Sequence, residues 1–224
     1  MADAAAGAEP RGIVRVTHGG QSMSEAPVTA TQLAVLRMLP LAAAISRAVG
    51  ADGIEVRRPL FRVRGWNGPL ASPVVDLIGV LDEIHLKSPA VPVVLVGHSM
   101  GARAAVRVAG HPAVIAVAGL APWLPPGEPV DQLAGRRVLL AHGTADRITS
   151  AADTWAYAGR ARAVTDVTAI EVSRGDHPML RRAPLWHAIA AEFTRVSFGL
   201  PGGTGEAAAA ITASARGARM VTLS

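Results

Sequence analysis

Short apolar runs rich in β-branched residues alternate along the chain with longer stretches whose apolar residues have helical spacing. The run Val91–Val96 is almost wholly apolar, which is typical of a parallel strand buried on both faces. Six such runs predict strands, at 12–17, 54–63, 91–96, 114–120, 137–141 and 167–172. Helices are predicted at 31–49, from Ser72 onward, and at 102–109, 151–163 and 184–198. This alternation predicts an α/β fold of βαβ units, with a mostly parallel six-stranded sheet and helices on both faces.

The predicted elements form one domain over residues 12–200. Half of the 224 residues are hydrophobic and 17% are charged, so the chain has enough apolar surface to bury a core. Residues 1–11 are small and polar and predict a disordered leader. Residues 201–224 are rich in Gly, Ala, Ser and Thr and lack large apolar residues at regular spacing, so we predict a flexible tail.

Composition and charge exclude several classes of protein. The chain has no cysteine, which excludes disulfides, thiolate-bound metal sites and a cysteine nucleophile. The net charge is +5, but the basic residues are scattered, so we expect no nucleic-acid partner. The histidines lack metal-binding spacing, and we expect no metal and no cofactor. Neither a signal-peptide pattern nor a membrane-spanning apolar run is visible, so we expect a cytoplasmic protein without a membrane partner.

The most informative stretch is Gly97-His98-Ser99-Met100-Gly101, which matches G-x-S-x-G between a strong strand and a strong helix. In this context the serine lies on a strained strand-to-helix turn, with glycines where bulk would clash with neighbouring elements. The turn exposes the hydroxyl at a helix N-terminus, where free N–H groups favour a developing anion. Ser99 is therefore the candidate nucleophile.

A candidate acid and a candidate base follow in the order Ser, acid, His. Asp146 is the one downstream acid directly after a predicted strand, which places it at the carboxyl edge of the sheet. Asp153 is better explained as a helix-capping residue, and Asp176 would have to fold back on its neighbour. His177 lies in a loop after the last strand, whereas His187 falls inside a helical pattern.

These motifs resemble those of small serine hydrolases of the α/β-hydrolase superfamily, over residues 12–198. The resemblance rests on the turn at Ser99, on H-G-x-x-D at 142–146, on G-x-H-x-x-L at 175–180 and on the loop His18-Gly19-Gly20. It implies that Ser99 is the nucleophile, His177 the general base and Asp146 the residue that orients His177. It further implies an oxyanion hole made by the backbone N–H of Met100 and that of Gly20 or Gln21.

Two departures from the family pattern predict a reduced fold. The two strands that usually precede the His-Gly loop are missing. The segment Ala121–Gly135, where many relatives insert a cap of helices, is one proline-rich loop. We therefore expect a reduced α/β-hydrolase fold with no cap domain and an open cleft.

Residues at the carboxyl ends of the strands are expected to bind a small-molecule ester or thioester. Those predicted to line the cleft are Met23, Trp66, Asn67, Trp123 and Met179. The predicted reaction is hydrolysis through an acyl-enzyme. Two alternatives stay open: acyl transfer or cyclisation by the same three residues, and a non-catalytic module that only holds a ligand. The oligomeric state is not predicted.

Overall fold

The computed structural model describes residues 9–215 and 220–224. Its centre is a seven-stranded sheet in the order β2-β1-β3-β4-β5-β6-β7, in which every neighbouring pair is parallel. The strands are β1 (Gly12–Thr17), β2 (Ile54–Arg57), β3 (Val93–His98), β4 (Val114–Leu120), β5 (Arg137–Gly143), β6 (Val167–Val172) and β7 (Val221–Leu223). The predicted α/β fold with a parallel sheet is confirmed, with one strand more than expected.

Helices cover both faces of this sheet. They are α1 (Leu33–Leu36), α2 (Met38–Val49), α3 (Ser72–Lys87), α4 (Met100–Arg107), α5 (Ala151–Ala161), α6 (Ala183–Ser197) and α7 (Glu206–Ala215). One core cluster contains residues of α2, α6 and α7, and a second contains residues of α3, α4 and α5. The central strands contribute alternate side chains to the two clusters, as expected for a sheet buried on both faces.

The segment 201–224, predicted to be a flexible tail, instead contributes α7 and the edge strand β7. β7 pairs with β6 from Ile170↔Val221 to Val172↔Leu223. Ile211 and Leu223 are buried in the core beside the alanines of α7. The prediction failed because alanines supply most of this burial, and their composition resembles that of a linker. Residues 1–8 of the predicted leader lie outside the described residues.

The stretch Leu33–Asp52 is long and apolar enough to span a membrane by length and composition. In the fold, α2 nevertheless buries Met38, Leu41 and Ile45 in the core. Pro40 lies in the first turn of α2, where its missing N–H costs no helical hydrogen bond. The inner face of this stretch is therefore part of the protein core.

The loop between β4 and β5 contains only a short 3₁₀ turn, Asp131–Leu133. No cap domain is inserted there, as predicted from the proline-rich segment Ala121–Gly135. In the parallel sheet the carboxyl ends of β1, β3, β5 and β6 lie at one edge. The residues that follow these strands are thereby brought together.

Candidate active site

Ser99 forms a sharp turn between β3 and α4. It follows His98, the last residue of β3, and precedes Met100, the first residue of α4. Its backbone angles are φ 53° and ψ −118°, a conformation that residues with a side chain rarely adopt. The turn places Ser99 at the N-terminus of α4, where the first peptide N–H groups have no partner within the helix.

Glycines on either side of Ser99 allow two close backbone approaches. A Cβ on Gly97 would lie 2.5 Å from the Cα of Ala102, and a Cβ on Gly101 would lie 2.5 Å from the carbonyl oxygen of His18. Both neighbours are backbone atoms, which cannot move aside as a flexible side chain can. The spacing of the G-x-S-x-G motif is thus required by the packing of α4 against β3 and against the loop after β1.

The loop His18-Gly19-Gly20 lies against this turn. A Cβ on Gly19 would lie 3.2 Å from the Cβ of Ser99, and one on Gly20 would overlap the side chain of Met100. The N–H of Gln21 donates to the carbonyl oxygen of Arg64 at 2.8 Å. Gln21 is therefore committed elsewhere, which corrects its assignment as an oxyanion donor. The predicted donors that remain are the N–H groups of Gly20 and Met100.

His177 and Asp146 form a hydrogen-bonded pair at the same edge of the sheet. Nδ1 of His177 donates to Oδ2 of Asp146 at 2.8 Å. The Asp146 side chain is fully buried, whereas that of His177 is about one-eighth exposed. The N–H groups of Ile148 and Thr149 donate to Oδ1 of Asp146 at 2.8 and 3.0 Å. Both oxygens of the carboxylate are thus hydrogen-bonded, and the bond to Nδ1 fixes the orientation of the His177 ring.

A second histidine, His142 at the end of β5, also contacts Asp146. Its Nε2 lies 3.2 Å from Oδ2 of Asp146, and its Nδ1 lies 2.8 Å from the hydroxyl of Thr154. Burial alone would raise the pKa of Asp146, but hydrogen bonds from His142, His177 and the backbone outweigh it and hold that pKa well below its usual range. Asp146 is therefore ionised at neutral pH. His142 is the first residue of the H-G-x-x-D motif, but the motif alone did not predict its contact with Asp146.

His98, the residue before Ser99, supports the loop that carries His177. Its Nε2 donates to the carbonyl oxygen of His177 at 2.8 Å, and the two rings lie 4.9 Å apart. Burial and the nearby His177 lower the pKa of His98 to about 3, so its ring is neutral. His98 therefore connects the serine turn to the histidine loop. The sequence did not predict this contact, because His98 ends β3 whereas His177 lies in the loop after β6.

Comparison with known families shows to which family the chain belongs. A model of the alpha/beta hydrolase family matches residues 17–221. The chain belongs to the alpha/beta hydrolase family. No significant match was found among curated proteins.

Solved structures of alpha/beta hydrolases share the fold. An alpha-beta serine hydrolase homologue from Coxiella burnetii has a TM-score of 0.60 and 18% identity, over 83% of this chain and 86% of that chain. XC6422 from Xanthomonas campestris, an a/b serine hydrolase without lid, has a TM-score of 0.61 and 18% identity, over 90% and 88%. The esterase Pf2001 from Pyrococcus furiosus has a TM-score of 0.63 and 14% identity, over 84% and 81%. At these identities the likeness concerns the fold alone.

In this alpha/beta hydrolase, contacts of neighbouring residues hold the His177 loop against the serine turn. No hydrogen bond joins the side chains of Ser99 and His177 in the part of the chain that the structure describes. His98 places the backbone of His177 beside the serine turn, and Asp146 fixes the orientation of its ring. Such a hydrogen bond often becomes short only when substrate is bound. The arrangement can therefore deliver a base to the Ser99 hydroxyl.

Trp66 and Trp123, two predicted substrate-binding residues, pack together behind the site. Their rings lie 6.1 Å apart, edge to face, and the guanidinium of Arg103 lies 3.8 Å from the centre of the Trp66 ring. Arg103 and Arg107 both pair with the buried carboxylate of Glu128. Trp66 is buried, so the structure gives it a packing role beneath α4 in place of the predicted substrate contact.

The other predicted substrate-binding residues have different surroundings. Asn67 is buried, accepts from the N–H of Ser24 at 2.8 Å and donates to the hydroxyl of Ser72. Met179 is buried in the core cluster of α2 and α6. Both are therefore structural residues of loops, which corrects the sequence prediction. Met23 is largely exposed beside the His18-Gly19-Gly20 loop and stays a candidate for substrate contact.

We also searched the described residues for metal-binding groups and for cavities away from Ser99. No three His, Cys, Asp or Glu side chains are grouped to hold a metal ion within 9–215 and 220–224. A cavity of about 820 Å³ lies at the amino-terminal edge of the sheet, with Arg136, Arg137 and Thr165 in its wall. Arg136 donates there to the carbonyl oxygen of Ala109, near the end of α4. The cavity is at the opposite edge from Ser99.

Proposed function

We propose that this alpha/beta hydrolase cleaves a carboxylic ester or thioester through an acyl-enzyme intermediate on Ser99. The family and the fold are those of hydrolases. The observation that carries the proposal is the hydrogen bond of His177 to Asp146, beside a serine held at φ 53°. In a serine hydrolase these are the general base, its orienting acid and the nucleophile.

In the first half of the reaction, the Ser99 oxygen attacks the carbonyl carbon while Nε2 of His177 takes the hydroxyl proton. Asp146 is hydrogen-bonded to Nδ1 of His177 and stabilises the imidazolium that forms. The N–H groups of Met100 and Gly20 are the donors for the oxyanion. His177 then gives its proton to the leaving alcohol or thiol, and the acyl group stays on the Ser99 oxygen.

In the second half, water replaces the leaving group. His177 takes a proton from the water, whose oxygen attacks the acyl carbon, and then returns the proton to Ser99 as the carboxylic acid leaves. The loop that joins β4 to β5 inserts no cap, so the Ser99 edge of the sheet is open to water. This openness favours hydrolysis over acyl transfer, which requires that water be excluded.

A panel of substrates tests the proposal. Purified protein is assayed with p-nitrophenyl esters of graded chain length, with a thioester and with an amide. We expect hydrolysis of esters or thioesters, and Ser99→Ala should remove it while Ser88→Ala, a serine at the opposite edge, retains it. Activity that survives in Ser99→Ala, or no hydrolysis of any member of the panel, would contradict the proposal.

A further inference from the structure

Exposed apolar side chains of this protein are concentrated at one edge of the sheet. Among the described residues, most of the exposed large apolar side chains lie in segments at the carboxyl edge, whereas Val75 and Ile78 lie along α3 and Leu86 and Met220 lie toward the opposite edge. Isolated exposed apolar residues are common on soluble proteins, but they are then scattered. Here most of them lie at the edge that carries Ser99.

Five of these side chains lie in the loops at this edge and in the short helix α1. Their exposed fractions run from 39% to 75%. Ile148 donates its N–H to Asp146 at 2.8 Å, and Met23 and Leu180 follow Gly20 and His177 in their loops. We call this set the rim; it consists of Met23, Leu33, Leu36, Ile148 and Leu180.

Two parts of the rim, the leucines of α1 and Leu180 in the loop after His177, lie near each other because the helices that follow them pack together. α2 and α6 pack against each other on one face of the sheet. Both helices return the chain from the carboxyl edge to the amino edge, so both begin at the Ser99 edge. Leu33 and Leu36 belong to α1, which ends two residues before α2 begins, and Leu180 lies three residues before α6 begins. These leucines therefore lie on the same side of the site.

Arginines are interleaved with the rim. They are Arg37, Arg147, Arg181 and Arg182, each within two residues of a rim side chain. None of them takes part in an ion pair found among the described residues. Arg37 lies close enough to the site to contribute to the lowered pKa of His98. The nearby acids are fewer: Glu25, Asp176 and the buried Asp146.

We propose that the rim and its arginines dock the open site on an anionic lipid surface, from which the enzyme takes its ester substrate. Apolar side chains beside unpaired cations are the combination that binds the headgroup region of anionic membranes. A docked surface would cover the side chains that the missing cap leaves in water. This differs from the sequence-based expectation of no membrane partner, which rested on spanning segments and not on surface patches. The substrate class rests on the proposed function, whereas the docking does not.

Vesicle binding tests the docking without using the enzyme's activity. Ser99→Ala protein is sedimented with vesicles of phosphatidylcholine alone and with vesicles that also contain phosphatidylglycerol. We expect binding at least about ten-fold stronger to the anionic vesicles, weakening as salt is raised. Leu33→Glu combined with Leu180→Glu, and separately Arg181→Gln combined with Arg182→Gln, should abolish it.

Matched controls make the result specific to this edge. Leu86→Glu and Arg137→Gln change exposed residues at the opposite edge, and these variants should bind like the parent. Far-UV circular dichroism checks that each variant is folded. Equal binding to both vesicle types, no binding to either, or equal losses in the controls would overturn the proposal. So would light scattering that shows the parent self-associating through the rim, since a second copy would then be its partner. A failure of the proposed function would instead appear only in the ester assays.

Discussion

Nε2 of the buried His142 lies 3.2 Å from Oδ2 of Asp146. The same carboxylate oxygen accepts the hydrogen bond from His177. Asp146 thus contacts two imidazole rings: that of His177, beside the serine turn, and that of His142, which is buried. His142 is held in turn by Thr154, so its ring has a fixed orientation. We interpret His142 as a positioning residue, which keeps the carboxylate ionised and in line with His177.

Replacement of His142 should therefore lower activity without unfolding the protein. A hydrogen bond to a charged group contributes about 1.5–3 kcal/mol, so His142→Leu should reduce kcat/KM by about ten- to hundred-fold. His142→Gln retains a donor and should restore part of the loss. In His142→Leu, Oδ2 of Asp146 keeps His177 as a partner but loses His142. The pH at which activity falls on the acidic side of the profile should therefore change. Equal activities and pH profiles in both variants and the parent would refute the positioning role.

Asp146→Asn should cost far more activity than Asp153→Asn or Asp176→Asn. Loss of the orienting carboxylate in a triad of this kind lowers turnover by about 10⁴-fold. Asp153 lies in the first turn of α5, and Asp176 accepts from the N–H of Arg181 at 2.9 Å. Steady-state kinetics of the three variants on one ester measure the difference. Losses of the same size in all three would show that the acid is misassigned.

Deletion of residues 201–224 should destabilise the domain. Ile211 and Leu223 are buried in the core, and each contributes about 1.5–3 kcal/mol of burial. We expect the melting temperature to fall by at least about 6 °C, with Ile211→Ala and Leu223→Ala each giving part of the effect. Met220→Ala, at a half-exposed residue of the same segment, is the control. An unchanged melting temperature after deletion would contradict the burial of α7 and β7.

His98 should make stability depend on pH. Its pKa is about 3 in the folded protein and about 6.5 when exposed, so the unfolded chain takes up the proton first as pH falls. The contribution of neutral His98 to the free energy of unfolding is fully present above about pH 6.5 and is lost progressively as the pH falls toward about 3. Between pH 7 and 4.5 the free energy of unfolding should fall by roughly 2 kcal/mol more in the parent than in His98→Phe. Urea titrations at the two pH values measure this, and equal declines would refute it.

The parts of the site that depend on local sequence were predictable. Gly97, Ser99 and Gly101 lie within one turn whose geometry follows from the motif, and the parallel sheet follows from six apolar runs. The contacts of His142 and His98 were not predictable, because they depend on how loops after β5 and β6 meet across the sheet edge. The burial of Ile211 was missed because it depends on the packing of α7 against α6. Gln21 was misassigned because its N–H pairs with a residue 43 positions away, Arg64.

The central claim, that Ser99 is the activated nucleophile, is tested most directly by covalent labelling. A fluorophosphonate is incubated with the native protein, and the modified residue is located by mass spectrometry. We expect one label per chain, on Ser99, with labelling much slower in Asp146→Asn and absent from heat-denatured protein. Labelling of another serine, or a Ser99 that reacts no faster in the native than in the denatured protein, would contradict the account.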